Sequence, residues 1–430
     1  MKNYSIGLLK LFLGIIFLGI LIYNFHIANS LKYESEGDAA NFIELGLSLA
    51  QTQKYGHIKG LEEGVITAFK NKNIQENQIE FANHSTWRPP VWPILIAGVF
   101  LLFGYNLTYV LIFKFLLQLL GIFIFYKTLK LLKVKKVLVL IGIFLYAVNP
   151  AWQLYSRVFL SEPITLFFLT LWLYLLIAYV KQKKAFFIQA IVAGILILSH
   201  PYYIFLPFTV WLILVINNQI RLNRFVISSV ICAAVVSTWV IRNFIVLDTN
   251  QMIITTSSGA VMAKGWNHKV PNEHTNTKGD LADEELVLLD FEYNRNEFDG
   301  EVGSMQLYQD ASLNFIRSNP DLIIPIVWKK IKSAFNPFPE TSRPGFLETG
   351  RVIYQVLSFL SLIIILLFYK NKLQWSLGVA LVISTMAITV LTYSGLRFRM
   401  PQTTLELLFF ILVLQQVFNS KLNSEFKYFS

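Results

Sequence analysis

The chain has 430 residues, 55% of them hydrophobic and 15% charged, with 37 Lys and Arg against 26 Asp and Glu. Soluble domains carry about 25% charged residues, and several apolar runs here approach or exceed the roughly 18 residues that cross a bilayer as a helix, which excludes a soluble globular protein. The single cysteine, Cys232 inside an apolar run, excludes a disulfide framework and a cysteine-based metal site.

Ten apolar segments are predicted to cross the membrane as helices. A further segment, Val91–Phe103, has only 13 residues, which is short for a span and typical of a re-entrant or interfacial segment. Pro89, Pro90 and Pro93 disfavour a regular helix start there. The predicted spans are residues 6–28, 107–126, 137–150, 163–180, 185–199, 201–217, 225–241, 350–369, 373–393 and 402–419.

The first of these spans has a second interpretation. Its apolar run, Leu11–Tyr23, follows a basic N-terminal stretch and precedes Ala28-Asn29-Ser30, the arrangement of a signal peptide with a cleavage site. We favour a retained helix, because removal would take away the span that positions Asp38.

Loop charge predicts the orientation of the spans. Lys and Arg collect in cytoplasmic loops, and every basic cluster falls on one side of the membrane if Val91–Phe103 does not cross. Both termini are therefore predicted to be cytoplasmic, and the net charge of +11 is a topology signal rather than a nucleic-acid-binding surface. The clusters are Lys2 and Lys10, Lys127–Lys136, Lys181–Lys184, Arg221 and Arg224, Lys370 and Lys372, and Lys421 and Lys427.

Most of the motif-like polar residues fall in segments predicted to lie outside. This suggests chemistry at the outer membrane surface, whereas a transporter places its polar residues near mid-membrane. The outer segments are 30–106, 151–162, 242–349 and 394–401, with the bend at Ser199-His200-Pro201. The expected regions are a first transmembrane helix (1–29), a first extracytoplasmic loop (30–106), a transmembrane bundle (107–241), a large extracytoplasmic loop (242–349) and C-terminal transmembrane helices (350–430).

The predicted fold is an all-α polytopic membrane protein with about ten transmembrane helices, a re-entrant or interfacial segment and a small mixed extracytoplasmic loop domain. Residues 51–88 are polar and typical of a partly mobile loop. In the large loop, a β-like run at Met252–Thr256 precedes an acidic stretch at Asp280–Glu301. A helical pattern at Gly303–Arg317 and an amphipathic, interfacial helix at Leu322–Phe335 follow.

Asp38 is the first candidate for chemistry. It lies about ten residues past the first span, and a carboxylate beside the end of a membrane helix can act as general base for a hydroxyl. The alternative is an N-cap, since Asp is favoured there and an amphipathic pattern of Phe42, Leu45 and Leu49 follows.

Glu162 is the second candidate, at the point where the chain re-enters the membrane before Pro163. An acid at the membrane boundary is a functional candidate, although an acid followed by Pro is also a good helix start. Lys114 lies within a predicted span, so it must face a cavity or extend outward to water. His200 marks a bend, either as a functional residue or as a polar helix break.

Three arginines lie on the predicted outer side of the membrane, where the charge bias predicts few Lys and Arg residues. Arg242 closes one span, and Arg397 and Arg399 precede another. Such guanidiniums need an anionic partner, and phosphate is the natural one because guanidinium binds it through two hydrogen bonds. Anchoring to lipid headgroups is the alternative.

The sequence lacks the common nucleotide-binding and metalloprotease motifs. It has no P-loop, no G-x-G-x-x-G after a strand and no H-E-x-x-H. It also has no D-x-D that would hold the metal of a nucleotide sugar.

Five motifs in order resemble the GT-C superfamily of integral-membrane glycosyltransferases, especially its dolichyl-phosphate-mannose protein mannosyltransferase and aminoarabinose transferase-like branch. The first resembles the family's first-loop aspartate motif and the second its R/K-P-P-x-x-P segment. The third resembles its acid-Pro element, the fourth the start of its large loop and the last its closing arginine-rich turn. In chain order they are GDAANFIELGLSLAQTQKY (37–55), RPPVWPILIAGVFLLFG (88–104), SRVFLSEP (156–163), RNFIVLDTNQMIITTSSGAVMAKGWN (242–267) and LRFRMP (396–401).

The resemblance implies an inverting transfer of a sugar from a polyprenyl-phosphate donor to a hydroxyl of a glycan, lipid or protein. It implies catalytic roles for Asp38 and Glu162, the latter near the acceptor or a divalent metal, with no cofactor certain. We expect membrane lipids but no nucleic acid as partners, in a bacterial inner membrane, with the site outside. Donor phosphate binding is expected from Arg397, Arg399, Arg242 and His200, and substrate binding from Arg88, Lys114, Arg157, Tyr203 and Asn267.

Two other function classes fit the same composition. A multi-pass transporter or lipid-linked sugar flippase would also carry polar residues such as Lys114 and Gln118 in its spans. A catalytically inactive relative that assists assembly would need no outward-facing carboxylate. Transfer of a labelled sugar in detergent separates the enzyme from both.

Overall fold

A computed structural model of the protein describes residues 2–61, 63–72, 74, 79–271, 300–335, 346–368, 371–393 and 395–427. Most of the predicted acidic stretch, Asp280–Glu301, lies outside these residues. In chain order the helices are α1 (Lys2–Leu31), α2 (Asp38–Thr52), α3 (Val65–Lys70), α4 (Val91–Phe103), α5 (Leu107–Leu131), α6 (Lys136–Ala147), α7 (Pro150–Ser156), α8 (Glu162–Gln182), α9 (Phe186–Ser199), α10 (Phe205–Ile216), α11 (Leu222–Val246), α12 (Ser258–Gly265), α13 (Gly300–Ser318), α14 (Pro320–Phe335), α15 (Phe346–Phe368), α16 (Lys372–Leu391), α17 (Leu396–Arg399) and α18 (Thr403–Lys427).

The described residues confirm the predicted all-α membrane fold. Among the described residues, seven helices are long and apolar enough to cross a bilayer, namely α1, α5, α8, α11, α15, α16 and α18. The other three predicted spans coincide with α6, α9 and α10, which are shorter apolar helices. Each of the ten predicted spans therefore corresponds to a helix.

Three local predictions are corrected by the structure. Val91–Phe103 forms a regular helix despite its prolines, because Pro93 falls in the first turn, where a backbone N–H has no intrahelical partner in any case. Met252–Thr256 contains no strand. The antiparallel sheet, β1 (Gly56–Lys59) with β2 (Glu80–His84), lies in the segment expected to be a mobile loop.

Tight packing fixes α2 against α4. A Cβ built on Gly46 would lie 2.6 Å from Ile96 Cγ2, so only glycine lets the two helices approach this closely. Phe42 and Trp92 are 2% and 0% exposed in the same cluster. Trp92 Nε1 also donates to the carbonyl of Phe159 at 2.8 Å, which ties α4 to the segment before α8. These contacts fix the positions of α2 and α8, which begin with Asp38 and Glu162, relative to each other.

Candidate active site

A cavity of about 990 Å³ opens among the loops. Its walls come from all four segments that the loop charges predicted to lie outside, and from the bend at His200. Sequence reasoning predicted that these segments share one side of the membrane, and the structure brings them to one cavity. The charged and polar lining includes Asp38, Arg88, His200, Lys264, Arg351 and Arg397.

Asp38 is the first residue of α2, and its carboxylate faces the cavity. Gly37 precedes it with φ +55° and ψ −124°, a conformation that favours glycine, and no side chain caps the helix there. The side chain of Asp38 is 29% exposed. The carboxylate thus does not serve as the N-cap that the sequence left open.

Two guanidiniums hold the two oxygens of that carboxylate. Arg88 Nη2 donates to Asp38 Oδ1, and Arg397 Nη2 lies 2.7 Å from Asp38 Oδ2. Arg397 Nε donates in addition to Glu162 Oε1, so one guanidinium bridges two carboxylates. Arg88 Nη2 has a second acceptor in Asn41 Oδ1 at 3.2 Å.

Glu162 is fully buried at the start of α8 and is not part of the cavity wall. Its Oε1 accepts from Arg397, while its Oε2 has no hydrogen-bond partner among the described residues. The structure therefore places Glu162 behind Arg397, where it holds the guanidinium in position.

The charges around Asp38 keep it ionised. Burial would raise the pKa of Asp38, but the positive charges of Arg88 and Arg397 outweigh it, with a smaller contribution from Lys264, and hold that pKa at about 2. Asp38 is thus a carboxylate throughout the physiological range, as a general base must be before it accepts a proton.

His200 lies at the bend after α9, beside the same cluster. Its ring packs edge-on against Phe398 with the centroids 5.3 Å apart, and its Nδ1 accepts from the N–H of Tyr202 at 3.4 Å. Removal from solvent lowers the pKa of His200 to about 4. His200 is therefore a neutral side chain that can donate a hydrogen bond through Nε2, rather than a cation.

Arg399 is not brought to the cavity, which differs from its predicted pairing with Arg397. Both residues belong to the short helix α17, and residues two apart on a helix do not face the same way. Arg399 instead contacts Glu406 at 3.0 Å and the carbonyl of Ala334 at 3.1 Å.

Two further predicted ligands of substrate or phosphate also lie elsewhere, each bound to main chain. Arg242 donates to the carbonyls of Tyr55 at 2.6 Å and Ser85 at 3.0 Å, so it fastens the sheet region to α11. Asn267 is fully buried and donates to the carbonyl of Ala263 at 2.9 Å. Both stabilise the loop segments that carry their partners, and neither lines the cavity.

Three other predicted substrate ligands, Lys114, Arg157 and Tyr203, bind protein groups and do not line the cavity. Lys114 is 1% exposed and donates to the carbonyl of Val158. Arg157 Nε donates to Asn24 Oδ1 at 2.9 Å, and the hydroxyl of Tyr203 donates to the carbonyl of Phe398 at 3.0 Å. These three lie outside the lining, although the carbonyls that accept from Lys114 and Tyr203 belong to Val158 and Phe398, which are part of it.

Lys264 is a site residue that sequence reasoning missed. It stands in the last turn of α12, lines the cavity and places its ammonium 5.3 Å from the ring centre of Tyr393. No carboxylate among the described residues forms an ion pair with it. Its position within the fourth family-like motif was the one available signal.

A second polar cluster, also missed, joins the first loop to α13. Glu301 accepts from Ser85 Oγ, from the N–H of Thr86 at 2.9 Å and from Thr256 Oγ1 at 2.9 Å. Its Oε1 also lies 3.3 Å from Nε2 of His57. Since Arg88 follows Thr86 by two residues, this cluster fixes the segment that carries Arg88 to the cavity.

The His57 contacts predict a pH-dependent stability. Hydrogen bonds with Glu301 and Glu44 raise the pKa of His57 from its ordinary 6.5 to about 10. Its stabilising contribution is therefore complete below pH 6.5 and is lost as the pH rises through 10. We expect His57→Gln to lower the thermal midpoint in detergent at pH 6 and to differ less from wild type at pH 10. His26→Gln, which replaces an exposed histidine of α1, should show no such trend. If His57→Gln lowered the thermal midpoint equally at pH 6 and pH 10, the stabilising role of protonated His57 would be contradicted.

Gly37 gives a second test of how Asp38 is positioned. A Cβ at Gly37 meets no atom of the described residues within 4 Å, so Gly37→Ala introduces backbone strain alone. Because small displacements of a reacting group cost up to about 10²-fold in rate, we expect the turnover of Gly37→Ala to fall roughly 10-fold or more. Gly98→Ala, which also has free space but no positive φ, should keep the wild-type rate, and equal rates for both variants would remove Gly37 from the account.

No metal cluster is visible in the ranges that the structure covers. No three His, Cys, Asp or Glu side chains gather there in a way that could hold an ion. Asp38 and Glu162, the acids predicted to act at the site, face Arg397 instead.

Residues 87–241 match the family described as dolichyl-phosphate-mannose-protein mannosyltransferase. This match confirms the predicted resemblance to the GT-C membrane glycosyltransferases, and it includes Arg88, Glu162 and His200. No curated protein matches the sequence.

Two solved structures are similar to the chain. ArnT from Cupriavidus metallidurans bound to undecaprenyl phosphate is 12% identical with a TM-score of 0.39, over 88% of this chain and 76% of that chain. The apo form of ArnT is also 12% identical, with a TM-score of 0.40 over 91% of this chain and 77% of that chain.

Proposed function

We propose that this chain, a membrane protein with GT-C glycosyltransferase resemblance over residues 87–241, transfers a sugar from a polyprenyl-phosphate donor to an acceptor hydroxyl. The observation that carries the proposal is the pairing of one carboxylate, Asp38, with two guanidiniums at the wall of a large cavity. A base for the hydroxyl and cations for a phosphate are the two groups that this reaction requires.

The donor phosphate is assigned to the cationic side of the cavity. Guanidinium binds phosphate through paired hydrogen bonds, and Arg397 and Arg88 both reach the lining. Lys264 supplies a third positive charge and neutral His200 a hydrogen-bond donor. Cations placed where negative charge develops on a leaving group usually contribute the largest part of catalysis.

The polyprenyl chain is assigned to an apolar stretch of the same wall. Leu154 lines the cavity from α7, Val158 and Leu160 line it from the segment between α7 and α8, and Ile204 lines it immediately before α10. These residues adjoin apolar helices, so a lipid chain would pass from the bilayer to the cavity over apolar surface. Nucleotide sugars are cytosolic, so a site on the extracytoplasmic side requires a sugar carried by a lipid.

The acceptor is assigned to a more polar stretch. Trp87, Gln251, Ser258 and Gln309 line the cavity there, and the N–H of Thr256 donates to the carbonyl of Thr86 at 3.1 Å, which joins two of its parts. Neutral hydrogen-bonding groups beside an aromatic ring suit a hydroxyl-bearing acceptor.

The proposed reaction is a single inverting displacement. The acceptor O–H gives its proton to Asp38 while its oxygen bonds to the anomeric carbon of the sugar. The bond between that carbon and the phosphate oxygen breaks, and its electrons stay on the polyprenyl phosphate. Glu162 acts as a positioning residue, since it touches Arg397 and not the cavity.

A transfer assay tests this function directly. The purified protein in detergent is incubated with a panel of radiolabelled undecaprenyl-phosphate sugars and an envelope extract as acceptor. We expect one donor of the panel to lose its label to the extract. A transporter or flippase has no compartments to connect in detergent, so the absence of transfer from every donor would favour that alternative.

A further inference from the structure

Asp38 is held in a state that makes it a poor base. Its Oδ1 accepts from Arg88 and its Oδ2 lies 2.7 Å from Arg397 Nη2, so both oxygens face guanidiniums. A general base works best when its pKa is near the working pH, and two adjacent cations oppose that by stabilising the carboxylate. A carboxylate with both oxygens ion-paired must lose at least part of that pairing before it takes a proton.

We propose that Arg88 and Arg397 transfer their hydrogen bonds from Asp38 to the donor phosphate, so that Asp38 becomes a competent base only when the phosphate is bound. This inference rests on the proposed function and adds a requirement that the function alone does not impose. It makes Asp38 and the phosphate competitors for the same pair of guanidiniums.

Charge balance supports such an exchange. The donor is a phosphodiester, and its cleavage leaves a phosphate monoester with one additional negative charge. In the same step Asp38 takes the acceptor proton and loses one negative charge. The guanidiniums of Arg88 and Arg397 therefore meet the same total charge before and after the reaction, but its location has moved from Asp38 to the phosphate.

The contacts of each arginine allow it to move without losing its place. A guanidinium has five N–H groups, and Arg397 uses Nε for buried Glu162 and Nη2 for Asp38. Glu162 can keep the Nε contact while the other groups turn to phosphate. Arg88 has a fallback acceptor in Asn41, 3.2 Å from its Nη2.

The exchange also gives a route for product release. Once Asp38 returns its proton to water, its carboxylate again attracts both guanidiniums. The polyprenyl phosphate then loses part of its binding and leaves. Ionised Asp38 should therefore weaken the binding of polyprenyl phosphate.

Equilibrium binding of radiolabelled undecaprenyl phosphate to the purified protein in detergent tests the exchange. Asp38→Asn removes the competitor while keeping its size, so we expect the Kd to fall about tenfold or more, as expected for a close charge pair at a binding site. Glu36→Gln is the matched control. It removes one carboxylate from the same cavity wall, and Glu36 forms no ion pair with an arginine among the described residues. Its Kd should stay close to that of wild type.

An unchanged or higher Kd for Asp38→Asn would overturn the exchange. An equal fall in the Kd of Glu36→Gln would also overturn it, because the tighter binding would then come from the lower negative charge of the cavity wall in general. These outcomes leave the proposed function intact if Asp38→Asn still lowers the rate of sugar transfer. A wild-type protein that neither binds undecaprenyl phosphate nor transfers sugar would instead overturn the proposed function, and this inference with it.

Discussion

Replacing Asp38 by asparagine is expected to lower the rate of sugar transfer by about 10²–10⁴-fold, the usual contribution of a general base. Asparagine has the size of aspartate but cannot accept the acceptor's proton as a carboxylate does. The side chain is 29% exposed and stands at a helix start, so the variant should fold and insert like wild type. The measurement is initial transfer rate per folded protein at saturating donor.

Glu36→Gln is again the control for that experiment. It changes the charge of the same wall without contacting Arg88 or Arg397, so its transfer rate should remain near wild type. Near wild-type transfer by Asp38→Asn would remove Asp38 from the mechanism.

Replacing Arg397 by lysine is expected to lower the turnover number by about 10²–10³-fold, the range seen when one donor to a developing oxyanion is removed. Lysine keeps the positive charge that buried Glu162 needs. Its single ammonium, however, lacks the planar set of N–H donors with which a guanidinium binds Asp38, Glu162 and a phosphate together. Arg397→Ala is less informative, because it leaves Glu162 as an unpaired buried charge, which destabilises the fold by about 3–5 kcal/mol.

Arg399→Lys is the matched control for Arg397→Lys. The two residues belong to the same short helix, but Arg399 pairs with Glu406 outside the cavity. We expect Arg399→Lys to lower the thermal midpoint while the turnover number of the folded fraction stays near that of wild type. Equal losses of turnover in the two variants would show that the helix, rather than the guanidinium of Arg397, matters.

The membrane helices could be predicted from the sequence because bilayer solvation imposes long apolar runs. Each of the ten predicted spans corresponds to a helix, and Asp38, Arg88, His200 and Arg397 meet at one cavity. The positions of the basic loops made this prediction possible, because they placed the segments that carry these four residues on the same side of the membrane.

The partners of individual charges could not be predicted in the same way. A charged group in a membrane protein must be satisfied, but sequence does not tell whether a ligand or a backbone carbonyl does so. Lys114 and Arg242 were therefore expected at the substrate, whereas both donate to main-chain oxygens.

Contacts between distant segments account for the other misses. Glu301 bonds to Ser85 and Thr86, more than two hundred residues earlier, and no local pattern announces such a pair. Met252–Thr256 has the composition of a strand but no partner strand among the described residues, and an isolated strand leaves its backbone groups unpaired. Arg397 and Arg399 were predicted to bind the same phosphate because they are two residues apart in the sequence. The short helix α17, which directs their side chains to different partners, could not be predicted.

A doubly labelled donor tests the central claim most directly. Undecaprenyl-phosphate sugar, with tritium in the sugar and ³²P in the phosphate, is incubated with the purified wild-type protein and its acceptor extract in detergent. The account predicts that tritium moves to the acceptor while ³²P remains in undecaprenyl phosphate, because the bond that breaks joins the anomeric carbon to the phosphate oxygen. Movement of both labels together, or of neither with any donor, would contradict it.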